Sequence, residues 1–166
     1  MTDGVNIKTT RLPDDLMGLW DPQSRTIWLD DRLTANERRC TLEHERVHAE
    51  RGDGPCATAW HQAKQELSVD REAARRLIDL EDLVDAILRS QDERELAELL
   101  HVDVDTCLTR LANLTPREMR HVEQRLTEVE SSWGFRWHLR RPRLAVPRLV
   151  PRVRPLSDPL PTVTPC

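Results

Sequence analysis

The strongest constraint in this chain is a helix that is marked at both ends and carries chemistry in its middle. Thr34 followed by Glu37 forms a capping box, in which the threonine hydroxyl and the glutamate satisfy each other's orphan amides. Gly52 supplies the stop, so the spacing predicts a helix over 35–51. Inside it lies His44-Glu45-Arg46-Val47-His48. Histidines four apart are separated by about 400° of helical rotation, so both imidazoles share one face. That is the geometry with which a single helix grips a zinc ion. Glu45 stands beside them as the candidate general base.

A third ligand is expected from the next helix, read as Thr58 to Ile78 from its run of good helix formers. There Glu66-Leu67-Ser68-Val69-Asp70 puts two carboxylates on one face. Glu66 can complete a His₂Glu metal site with His44 and His48. Asp70 can then take the second ring N–H of a ligand histidine. Asp70 is the rival ligand, one turn away, and spacing favours Glu66. Cys40 lies four residues before His44 and could approach the metal, but a buried apolar thiol is the better reading. Glu72 reads as an exposed helix position. Trp60 and His61, at the start of the second helix, could line a cleft, although packing is the competing reading for Trp60.

Elsewhere the chain reads as strands first and helices after. Met17–Trp20 and Thr26–Leu29 are short apolar runs around the turn Asp21-Pro22-Gln23-Ser24, which predicts an antiparallel hairpin. Trp20 and Trp28 are expected to pack on the core. Further helices are expected near 80–90, 92–100 and 104–113. Thr115-Pro116-Arg117-Glu118 starts a last one reaching about Trp133, with N-cap, proline at the first helical position and capping-box glutamate.

The stretch TLEHERVHAERGDG followed by ELSVDREAARRLI resembles the ImmA/IrrE family of metallo-endopeptidases, a gluzincin arrangement similar to thermolysin. LPDDLMGLWDPQSRTIWLDDRL resembles that family's strands, and ELAELLHVDVDTCLTRLANL its helix-turn-helix-like element. The likeness covers roughly residues 10–115. On the matching positions it implies that His44, His48 and Glu66 hold Zn²⁺, that Asp70 supports them, and that Glu45 is catalytic. It also implies peptide hydrolysis of a protein substrate, a repressor or other transcription regulator of a mobile element, phage or stress response. The implied fold is α+β: a small antiparallel N-terminal sheet on a helical zincin-like core, then a helical region. The Pro/Arg-rich tail lies outside the likeness and is expected to be disordered from its composition. The boundaries expected are 1–80, 81–138 and 139–166.

The chain has no tyrosine, so a tyrosine oxyanion donor is impossible. His61, His101 or an arginine would have to serve, or metal alone. Otherwise His101 and His121 are expected to have no special role.

Charge is split along the chain. Residues 139–166 hold six arginines against Asp158 and seven of the eleven prolines, so they carry +5 of a total −4 and leave −9 on the rest. Proline-rich sequence of this kind cannot build helix or sheet interior. An acidic body argues against phosphate contacts. On the second helix of the 92–113 element, Arg110 stands almost alone as a base-reading side chain, so DNA binding is not expected. The alternatives to an enzyme are a catalytically inactive zinc-binding interaction protein and a helix-turn-helix DNA-binding regulator. No run approaches the roughly 18 apolar residues of a membrane helix, and no signal peptide is evident. A cytoplasmic protein without a disulfide framework is therefore expected, with no oligomeric state specified.

Overall fold

The computed structural model describes residues 4–13, 15–54 and 58–133. A three-stranded sheet comes first: β1 (Asn6–Thr10), β2 (Gly18–Asp21) and β3 (Thr26–Asp30). Six helices follow: α1 (Ala35–Arg51), α2 (Ala59–Leu77), α3 (Leu80–Arg89), α4 (Glu93–Leu99), α5 (Val104–Ala112) and α6 (Pro116–Trp133). The fold is α+β, as the sequence implies. The expected tail over 139–166 lies outside the described residues.

The predicted hairpin is present, with Leu19 opposite Trp28 and Trp20 opposite Ile27 in antiparallel register. The sheet is not wholly antiparallel, however. β1 adds to the other edge of β3 in parallel, giving the order β1-β3-β2. Every residue of β1 is exposed, so its sequence NIKTT lacks the apolar alternation that marks a half-buried strand. Long-range polar contacts hold it instead. The Asp31 amide donates to the Thr10 carbonyl, and Arg38 of α1 reaches the Thr9 hydroxyl at 2.9 Å.

Ile27 and Leu29 are fully buried and Leu19 nearly so, whereas Trp20 and Trp28 are only half-buried. The tryptophans, expected to pack on the core, are partly covered, and their aliphatic neighbours are the more deeply buried. Trp28 instead carries the Lys8 ammonium over its ring at 5.2 Å. Asp30 is buried and anchors the strand end. It accepts from the Leu12 amide at 2.7 Å and from the Arg32 amide and guanidinium, which together hold its carboxyl far below the ordinary range.

Helix ends follow local capping chemistry. Thr34 and Glu37 form the expected reciprocal box, and Gly52 closes α1 at φ 68°, a left-handed conformation that suits glycine. Thr58, Asp79, Asp92 and Asp103 each accept an amide of the helix they precede. Thr115 and Glu118 make a second box at α6.

Among the described residues two apolar clusters hold the helices. Val47 of α1 meets Val69 and Ala73 of α2 in a small seam. Burying each valine contributes on the order of 1.5–3 kcal/mol. The larger cluster runs from Cys40 through Ile78 and Leu83 to Leu96, Val102 and Cys107, so residues on both sides of position 80 share one core. Arg39 ties the same parts together by donating to the carbonyls of Leu77, Leu100 and His101. On the outer face Arg76 of α2 bridges Glu43 and Glu50 of α1. Among the described residues no helix is long and apolar enough to cross a membrane.

Candidate metal centre

The Val47–Val69 seam fixes the rotation of α1 and α2 about their axes. His44 and His48 flank Val47 on one helix, and Glu66 and Asp70 flank Val69 on the other. Packing valine on valine therefore brings the two polar sets face to face. His44 Nε2 and His48 Nε2 lie 3.2 and 3.4 Å from Glu66 Oε2, and 3.1 Å from each other. The ring centroids are 4.9 Å apart. All three side chains are buried.

The outer ring nitrogens are also engaged. His44 Nδ1 is 3.0 Å from Asp70 Oδ1, and His48 Nδ1 is 3.0 Å from Asp53 Oδ2. Each imidazole thus has a carboxylate behind it and its other nitrogen directed at a common point. The ligand-capable atoms of His44, His48 and Glu66 lie within 4.8 Å of one another. With each Nδ1 proton held by its carboxylate, the two Nε2 atoms and the Glu66 oxygen between them cannot all be satisfied by one proton. A divalent cation satisfies them together, and two imidazoles with one carboxylate are a donor set of the kind that catalytic zinc sites use. The residues fit a metal ion.

Electrostatics without a metal reflect the same crowding. Burial opposes charge on His44, but hydrogen bonds to Asp70 and Glu66 outweigh it and raise the ring to about 9. His48 moves the same way: burial opposes, while Glu66 prevails. Burial alone would raise Glu66, yet the two histidines pull it down to about 2.

Glu45 is buried against the sheet. Burial raises its carboxyl above the ordinary value, with His44, His48 and a hydrogen bond from the Trp20 amide in opposition. A carboxyl held upward in this way is suited to accept and return a proton. Gly18, also in β2, permits the close approach. A Cβ there would stand 3.1 Å from Glu45 Oε1 and 2.4 Å from Thr41 Cγ2.

The remaining sequence candidates fall elsewhere. Cys40 sits in the larger apolar cluster, where its sulfur accepts from the Asp103 amide at 3.4 Å, and its thiol is not among the converging atoms. His61 is exposed at the start of α2, with Nδ1 2.7 Å from the Thr58 hydroxyl. Trp60 is 66% exposed, so it does not pack on the core. It lies edge-to-face with His61 and has Lys64 above its ring. Glu72, expected to be exposed, is half-buried and pairs with Arg76. His101 is exposed with a positive φ, and His121 pairs with Glu81. Arg110 is buried, donating to the Ile78 carbonyl and to Glu118.

Asp53 and Gly18 are the contributors that the sequence reading lacks. The signal for Asp53 was its place directly after a glycine C-cap, one turn beyond His48. Gly18 stands inside an apolar run, where nothing local distinguishes it.

Comparison with known proteins adds one match. The family model described as Peptidase_M78, IrrE N-terminal-like domain, matches residues 3–112. No curated protein and no solved structure matches the chain.

Proposed function

Because the chain belongs to the Peptidase_M78 family of IrrE N-terminal-like metallopeptidases, we propose that it is a zinc-dependent endopeptidase whose site is built from His44, His48, Glu66 and Glu45. The observation that carries this reading is the convergence of three buried ligand atoms beside a fourth, buried carboxylate. His44, His48 and Glu66 would hold the zinc, which when bound supplies Lewis-acid polarisation of a peptide carbonyl and acidifies water.

The chain's own residues do the rest. Asp70 holds His44 by its Nδ1 and so keeps Nε2 directed inward. Glu45 takes the proton of the attacking water on its carboxylate and delivers it to the leaving amine nitrogen. Its raised carboxyl supports both halves of that transfer. The Trp20 amide and Gly18 keep that carboxylate seated against β2.

The substrate in this proposal is a regulatory protein, a repressor of a mobile element or of a stress response, and the site of action is the cytoplasm. Both rest on the sequence reading and its family resemblance. The DNA-binding alternative finds less support, since the arginine on which it leaned is buried and paired. Glu45→Gln separates an enzyme from an inactive zinc-binding protein. The variant should retain zinc, measured by metal analysis, and lose on the order of 10²–10⁴ of the hydrolysis rate. Undiminished hydrolysis or cellular function in that variant refutes the catalytic reading.

A further inference from the structure

α1 ends in a way that brings the chain back onto one of its own histidines. Gly52 adopts φ 68° and ψ 30°, and its amide donates to the Ala49 carbonyl at 3.3 Å. The turn lets the Asp53 amide donate to the His48 carbonyl at 3.0 Å. The Asp53 carboxylate then reaches the ring of the same residue, with Oδ2 3.0 Å from Nδ1. Asp53 therefore grips His48 at two points, backbone and imidazole. Its side chain is 20% exposed, against 9% for His48.

We propose that Asp53 is a positioning residue of the metal centre, holding His48 with a proton on Nδ1 so that Nε2 is the nitrogen offered to a metal beside Glu66. This rests on the metal-site reading above. A neutral imidazole carries one proton, and a carboxylate at one nitrogen keeps the proton there. The free lone pair is then on the nitrogen that faces His44 and Glu66. Asp70 serves His44 from the second helix, whereas Asp53 serves His48 from the C-terminal turn of the first. The two supports are separate in origin: one depends on α1–α2 packing, the other on the left-handed turn at Gly52. Without Asp53 the ring has two tautomers and freedom about its terminal torsion.

The test uses the full chain as wild type, Asp53→Ala, Asp53→Asn and Asp85→Ala, the last removing an equal charge from an exposed position on α3. Zinc affinity is read by competition with a chromophoric chelator. The His48 Nδ1–H resonance of the zinc-free protein is read by NMR. Asp53→Ala should weaken zinc binding about 10–100-fold and abolish the slowly exchanging Nδ1–H signal. Asp53→Asn, which still offers an acceptor oxygen, should keep the signal and fall between the two. Asp85→Ala should bind as wild type does. An Asp53→Ala variant with wild-type affinity and an unchanged Nδ1–H signal overturns the inference. Should wild type bind no zinc, the metal-site reading fails, and the Nδ1–H signal still decides whether Asp53 holds the ring.

Discussion

Gly18 and Glu45 meet across the sheet–helix interface at a distance that leaves no room for a side chain on the strand. A Cβ at position 18 would lie 3.1 Å from both Glu45 Cγ and Glu45 Oε1. The same Cβ would fall 2.4 Å from the Thr41 methyl, one turn earlier on α1. The edge strand thus sets where the buried carboxylate rests.

Gly18→Ala should therefore overpack this contact and destabilise the fold by about 1–3 kcal/mol. Hydrolysis should fall further than stability explains, because Glu45 must move. Thr41→Ser removes the clashing methyl and retains the hydroxyl. In the double variant, urea denaturation should show most of the stability restored. Hydrolysis should stay low, since the contact with Glu45 persists. Full recovery of activity in the double variant argues that Gly18 acts only through Thr41.

Metal binding should weaken as pH falls. In the metal-free protein His44 is raised to about 9 by Asp70 and Glu66, so at neutral pH the ring holds a proton that a metal must displace. Below about 9, affinity should drop roughly tenfold per pH unit for this one proton. His48 is raised as well and should steepen the slope. Zinc titrations at several pH values with a competing chelator measure it. A flat profile between pH 6 and about 8 contradicts the proton competition.

Much of this site was readable because its parts are local. The pair His44 and His48, the capping box at Thr34 and the stop at Gly52 lie within a single helix. Spacing alone therefore places both rings on one face. Glu66 and Asp70 were readable for the same reason, and their meeting with the histidines needed only two helices in antiparallel contact. What was not readable depends on surroundings. β1 has no apolar alternation, and its parallel pairing with β3 is long-range. Trp20 and Trp28 look like core residues by type, yet the adjacent aliphatics Leu19, Ile27 and Leu29 are more deeply buried. Arg110 looks like a candidate nucleic-acid contact until Glu118 and the Ile78 carbonyl are seen around it.

That last arrangement makes the start of α6 a stability determinant sensitive to acid. Glu118 accepts from the Thr115 amide and hydroxyl at 2.7 Å each and from buried Arg110 at 2.7 Å. Burial works against its charge, but the Thr115 amide and Arg110 outweigh that and lower it to about 2. The folded value lies below the unfolded one, so the contribution is complete above about 4.5 and fades as pH falls toward 2. Glu118→Ala leaves Arg110, only 4% exposed, without its carboxylate. Arg110 is buried but Glu118 only half so, and loss of the carboxylate should cost less than the about 3–5 kcal/mol of a fully buried pair. Replacing both, as Arg110→Met with Glu118→Ala, should recover much of that loss. Chemical denaturation at pH 7 and pH 3 checks both statements: the wild type should lose stability between them, and the double variant should lose less. An equal acid response in the two proteins removes Glu118 as the source.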